Sequence, residues 1–177
     1  MVLFFLMKKL ILAIETSCDE TAMSLIRAEQ KLDGWDFEIL SNVVASQIDI
    51  HKKWGGVWPE LASRAHLEVM IPVIEEALSP IKIILKTKDQ RSNQVQNSNF
   101  KIDKSKFNQN SQLETLNSIN AIAVTQGPGL IGSLLMGTET ANILSAIYNK
   151  PIIPVNHLEG HIYAAFAAKS QKSKVKT

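Results

Sequence analysis

Residues 9–21 read KLILAIETSCDET, and the reading of this stretch decides the fold. An unbroken apolar run, Leu10–Ile14, ends in a crowd of short polar and acidic side chains: Glu15, Thr16, Ser17, Asp19 and Glu20. Continuous apolar character over so few residues predicts a strand buried on both faces. TAMSLIRA (21–28) follows almost at once, and FEILSNVVAS (37–46) comes after a turn containing Gly34. Three strands with short links predict an antiparallel meander.

Beyond the meander the pattern changes period. In HKKWGGVWPELASRAHLEVMIPVIEEAL (51–78), Gly55 and Gly56 mark a loop and Pro59 suits a first helical turn, where its missing N–H would be unpaired anyway. Leu61, Ala65, Val69, Val73 and Ala77 then recur every four residues, with Met70, Ile74 and Leu78 beside them, which predicts an amphipathic helix. Pro72 is expected to bend or split it. INAIAVTQ (119–126) predicts a strand, and GPGLIGSLLMG (127–137) turns it into a helix to about Tyr148. PIIPVN (151–156) predicts another strand, and HLEGHIYAAFAA (157–168) another helix. The expected order is β-β-β-α-β-α-β-α, an α/β domain over residues 8–168.

Composition supports a domain with a sizeable core. The chain has 177 residues, 45% of them hydrophobic, which excludes wholesale disorder. A single cysteine, Cys18, excludes an intrachain disulfide framework and suits a reducing compartment, so a cytoplasmic location is expected. The opening MVLFFLMKKL carries its lysines after the apolar run, the reverse of a secretory signal. Residues 1–7 therefore read as a short extension. No apolar run reaches the ~18 residues of a membrane span, so no membrane partner is expected. The net charge of +2 is uneven. Residues 86–118 are rich in Asn, Gln, Ser and Lys without a period, and read as an inserted, mostly disordered surface loop. The tail, 169–177, carries four lysines and no acid. Both segments read as solvated faces, with nonspecific nucleic-acid contact as the alternative.

Three clusters could carry chemistry. Polar residues where a buried strand emerges, as in ETSCDE, are well placed for a ligand, and carboxylates there can hold metal or handle protons. A solvated polar turn is the alternative. Gly127 and Gly129 bracket Pro128 between a strand and a helix, a geometry that admits close backbone approach or an anion. The spacing matches neither a Walker A loop nor GxGxxG, and a tight turn accounts for it equally. His157 and His161 are four apart, so on a helix they lie about 40° apart on one face, suitable for two ligands to one ion. Glu159 is roughly 200° round the same helix, away from that face. A metalloprotease with its HExxH general base is thereby excluded. Two histidines alone do not complete a site. His51 and His66 have no supporting spacing and read as structural.

Together, ILAIETSCDET, HKKWGGVWPELASRAH, AIAVTQGPGLIGSLLMG and PVNHLEGH occur in an order that resembles the bacterial tRNA threonylcarbamoyladenosine transferase family, TsaD. The resemblance covers nearly all of residues 8–168 except the insert. It implies an actin-like (ribonuclease H-like) fold, here the first half of a two-domain architecture. It implies transfer of threonylcarbamoyl from threonylcarbamoyl-AMP to the exocyclic amine of the adenine following the anticodon. It implies one divalent metal, Fe²⁺ with Zn²⁺ as the alternative, held by His157 and His161 and by an Asp far downstream. Glu20 is the residue implied to give catalytic assistance near the acceptor amine. The implied partners are tRNA, threonylcarbamoyl-AMP, and TsaB-like and TsaE-like proteins. The donor-binding segment and the third ligand are not among these 177 residues, so the chain is expected to be an incomplete portion, inactive alone. Asn142 stands where the family pattern has lysine. The alternative is a non-catalytic TsaB-like scaffold, which would need neither HLEGH nor SCDET.

Overall fold

The computed structural model describes residues 7–32, 34–81 and 115–172, with side chains described as far as Ala165. Strands β1 (Lys8–Glu15), β2 (Glu20–Lys31) and β3 (Gly34–Ser46) form the expected meander. A four-residue helix α1 (Ile48–His51), a 3-10 turn (Lys52–Trp54) and helix α2 (Pro59–Ala77) follow. Then come β4 (Ala121–Gly127), α3 (Ile131–Tyr148), β5 (Ile152–Asn156) and α4 (His157–Lys172). The sheet order is β3-β2-β1-β4-β5. β2 runs antiparallel to β1 and β3, while β1, β4 and β5 are parallel.

Strand alternation sorts the two faces. Leu12 and Ile14 of β1, Met23 and Leu25 of β2, and Ile122 and Val124 of β4 point to one side. There they pack with Met70, Val73, Ile74 and Ala77 of α2 and Ala141 of α3. At about 1.5–3 kcal/mol for each large apolar side chain taken from water, this layer is the main source of stability. The opposite face presents smaller residues, Ala13, Ala22 and Ala123, and meets α4 at one end.

Of the two outcomes expected at Pro72, splitting does not occur: α2 runs through it from Pro59 to Ala77. Pro72 is exposed, as is Glu68 four residues earlier, so the carbonyl that loses its intrahelical partner is on the watered side. Only residues 115–118 of the segment expected to be a surface loop fall among the described residues, and of these Thr115 and Leu116 are packed while Asn117 is exposed. Thr115 is fully buried, Leu116 lies against the core, and the Ser118 N–H bonds the Thr115 carbonyl at 3.3 Å. Helix α4 runs to Lys172.

The glycines of the GPG segment serve packing. A Cβ on Gly129 would lie 2.5 Å from the Ser17 carbonyl oxygen, one on Gly132 2.3 Å from Ser63 Oγ, and one on Gly137 2.4 Å from Thr16 Oγ1. The close backbone approach is made to the chain itself. Helix α3 is thus seated against the β1–β2 turn.

Candidate metal centre at the ends of the central strands

The parallel strands β1, β4 and β5 deliver Glu15, Gly127 and Asn156 to one edge of the sheet. Carboxyl ends of parallel strands are the usual ligand position in such sheets. The β1–β2 turn at this edge is fastened from several directions. Leu130 N–H donates to Ser17 O at 2.7 Å, Ser133 Oγ–H to Cys18 O at 3.0 Å, and Gln47 N–H to Asp19 O at 3.0 Å. Thr16 is buried and its hydroxyl donates to Ser133 O at 2.8 Å.

His66, left as structural on sequence grounds, is a fourth fastening. It is fully buried. Cys18 O only accepts, so His66 Nε2–H donates to it at 3.1 Å, and Nδ1 accepts from the Thr21 hydroxyl at 2.7 Å. Burial lowers the His66 pKa, against the opposing pull of the Cys18 carbonyl. The sign of the consequence is fixed. The unfolded chain takes up a proton near pH ~6.5, while the folded chain resists it. Stability is therefore expected to be undiminished above that pH and to fall on acidification below it. Urea midpoints measured from pH 8 to pH 5 test this; a midpoint insensitive to pH between 7 and 5 would remove His66 as an acid-sensitive pin. His51 is also structural: Nε2–H donates to Gln47 Oε1 at 3.0 Å, and Nδ1 accepts from Trp58 N–H at 3.3 Å.

The histidine pair stands at the start of α4. Asn156 Oδ1 accepts from Leu158 N–H at 2.9 Å and Glu159 N–H at 3.3 Å, an N-cap that makes His157 the first helical residue. One turn on, His161 brings its Nε2 to 3.0 Å from His157 Nε2, with the rings edge to face. Two nitrogens bound to one ion at ~2.0–2.1 Å lie about 2.9–3.4 Å apart for angles between 90° and tetrahedral. The pair fits a two-nitrogen clamp. Among the described residues, no group of three or more His, Cys, Asp and Glu side chains is disposed to hold a metal.

The other side of His157 faces Ser17 and Glu15. His157 Nδ1 is 3.1 Å from Ser17 Oγ and 3.6 Å from Glu15 Oε2. Glu15 Oε1 accepts the Ser17 N–H at 2.6 Å. Burial would raise the Glu15 carboxyl, but hydrogen bonds from the Ser17 and Thr125 side chains and the Ser17 N–H, with the nearby His157, outweigh it. The group sits below the ordinary carboxylate value. Serine and carboxylate both address Nδ1, whereas a hydrolase triad puts them on opposite ring nitrogens. The arrangement is not such a triad.

A crevice of about 340 Å³ runs from the histidines along the small-residue face of the sheet. Ala13, Ala22 and Ala123 line it, with Ser24 and Asn42 beyond, joined by a 2.7 Å bond from Ser24 Oγ–H to Asn42 Oδ1. Glu20, the first residue of β2, is exposed and opposite Ser46 in register. By alternation it shares the face of Ala22 and Ser24, but it does not line the crevice. Glu159 is exposed and lines a separate crevice with Gln126, Pro154 and Asn156. Cys18 is exposed, and partial burial together with the adjacent Asp19 carboxylate raises its thiol, which makes it a poor thiolate ligand. Asn142 is exposed on α3 and makes only a local 3.4 Å bond to Glu139.

Glu15 and Ser17 were visible in sequence only as members of a polar crowd. Their contact with His157 spans 140 residues, and no local pattern encodes it. The available signal is parity: Glu15 follows Leu12 and Ile14 on the opposite face of β1.

A β3-β2-β1-β4-β5 sheet with one antiparallel inner strand, helices on both faces and ligand-ready side chains at the central strand ends defines a ribonuclease H-like α/β domain. Within that class, the chain belongs to the TsaD family, tRNA N6-adenosine threonylcarbamoyltransferase, whose family model matches residues 38–90 and 109–174. It is 43% identical over 162 residues to the tRNA N6-adenosine threonylcarbamoyltransferase of Protochlamydia amoebophila, covering 92% of this chain and 36% of that protein. It is 46% identical over 155 residues to the protein of that name from Staphylococcus haemolyticus, covering 88% and 34%. The chain thus spans about a third of the length of these curated relatives. Among solved structures, YeaZ from Pseudomonas aeruginosa aligns over 84% of this chain and 43% of its own, at 12% identity and a TM-score of 0.42. Among the described residues no helix is long and apolar enough to cross a membrane.

Proposed function

We propose that this chain forms the histidine-bearing half of a threonylcarbamoyl transfer site in the cytoplasm. The observation that carries the reading is the convergence of His157 Nε2 and His161 Nε2 at 3.0 Å beside the carboxyl ends of β1 and β4. A scaffold of the same fold has no use for such a clamp. The substrates under this reading are threonylcarbamoyl-AMP and a tRNA adenosine. The adenine exocyclic amine attacks the carbamoyl carbon, the bond from that carbon to the phosphate oxygen breaks, AMP leaves, and the amine gives up a proton.

The residues divide that work. His157 and His161 hold one divalent ion, Fe²⁺ or Zn²⁺, through their Nε2 atoms. When bound, the ion supplies electrophilic polarisation of donor oxygens. Ser17 and Glu15 hold the His157 ring from behind. Glu20, on the crevice side of β2, is the group assigned to accept the amine proton. Its exposure leaves it able to meet a large substrate such as tRNA. TsaB-like and TsaE-like proteins are the partners this assignment implies.

Two nitrogen ligands make a weak site, since zinc and iron centres use three or more protein ligands. The 177-residue chain alone is therefore expected to bind one equivalent of Zn²⁺ or Fe²⁺ weakly and to show no transfer to tRNA. Calorimetric titration with each metal, alongside a mass-spectrometric assay for threonylcarbamoyladenosine, tests both halves. Absence of metal binding would sink the clamp. Full transfer by the chain alone would sink the division of the site.

A further inference from the structure

We propose that Glu15 is a positioning residue that fixes the tautomer of His157 through the Ser17 hydroxyl, leaving His157 Nε2 as the lone-pair nitrogen facing His161. The proposal gives the clamp reading above its orientation and rests on that reading for its purpose. Its geometry stands on its own.

Glu15 Oε1 is occupied by the Ser17 N–H at 2.6 Å, which holds the carboxylate in a set orientation. Ser17 has one hydroxyl proton. If Glu15 takes it, Ser17 Oγ faces His157 with lone pairs only. The ring nitrogen 3.1 Å away must then supply the proton, so Nδ1 carries the hydrogen. The second carboxylate oxygen, 3.6 Å from Nδ1, reinforces the choice, because an anion beside Nδ1 favours N–H over a lone pair there. A neutral imidazole with Nδ1–H has its lone pair on Nε2, which points to His161. Ser17 is buried and its carbonyl is held by Leu130 N–H, so the relay is rigidly placed. Carboxylate partners that orient a ligating histidine are a general device of metal centres, and losing one costs about 10–100-fold in affinity.

The Glu15→Gln variant reverses this assignment. The glutamine carbonyl must stay on the Ser17 N–H, which turns its NH2 toward Ser17 Oγ and Nδ1. An amide donor there drives Nδ1 to act as acceptor and moves the ring hydrogen to Nε2. Long-range ¹⁵N–¹H correlation spectra of the full chain at pH 8 read the tautomer directly. The expected result is Nδ1–H for His157 in the native chain, Nε2–H in E15Q, and about tenfold weaker Zn²⁺ binding in E15Q by competition with a chromogenic chelator. An Nε2–H tautomer in the native chain overturns the proposal without need of any variant, as does an unchanged tautomer in folded E15Q. The native Nδ1–H form with no metal binding overturns the clamp reading and upholds the positioning. Metal binding with an Nε2–H His157 does the reverse.

Discussion

Gly129→Ala is expected to destabilise the chain by about 2–4 kcal/mol, from overpacking of ~1–3 kcal/mol and one lost hydrogen bond of ~1 kcal/mol. The new methyl would stand 2.5 Å from the Ser17 carbonyl oxygen and 2.8 Å from Ser17 Cβ. Neither neighbour is the loose end of a flexible side chain. The turn must move away, and the 2.7 Å bond from Leu130 N–H to Ser17 O goes with it. For a domain of this size the loss corresponds to a fall in Tm of roughly 5–15 °C. Gly56→Ala is the control, since a Cβ there meets nothing within 4 Å. It should change stability by less than about 0.5 kcal/mol. Thermal melts of both variants decide the matter: equal Tm values would mean that the glycine is not needed for the seating of α3. Because Ser17 also faces His157, the Gly129 variant should weaken metal binding as well, although no ligand is altered.

His161→Ala is expected to reduce Zn²⁺ or Fe²⁺ affinity on the order of 100-fold or more, beyond the 10–100-fold typical of losing an orienting partner. His161 is exposed and its only described polar contact is His157 Nε2, so the fold should be untouched. A clamp has a further signature. Once either nitrogen is gone, one imidazole remains and chelation has ended. The His157→Ala, His161→Ala double variant should therefore bind little worse than either single. Chelator competition on the three variants measures this, with melting curves to confirm folding. Additive losses, or an unaffected His161→Ala, would show that the nitrogens do not share an ion.

Much of the architecture was legible because it is periodic. The four-residue recurrence from Leu61 to Ala77 carries its own period, and the run Leu10–Ile14 shows itself by unbroken apolar character between polar residues. The His157–His161 pair was legible for the same reason, since a helix turns i and i+4 to one face. What stayed hidden depends on distant partners. Thr115 is buried by elements that come before and after it, with no period of its own. Pro72 survives within α2 because it falls on the solvent face, which only the packing decides. The GPG glycines signal close approach but not what approaches, and it is Ser17. Glu15 and Ser17 become partners of His157 only when β1, β4 and β5 lie side by side, a register set by the whole sheet.

The fastening of the β1–β2 turn also bears on the order of assembly. Residues 16–19 are tied to Gln47, His66, Leu130, Ser133 and His157. These partners come from segments scattered along most of the chain, and closing such long loops is the slow, entropically costly part of folding. The fastened turn behind His157 therefore has no local precursor, because each of its partners lies far along the chain. Metal affinity and global stability are then linked quantities: a ligand that binds only the completed turn draws the whole domain toward its folded state by mass action.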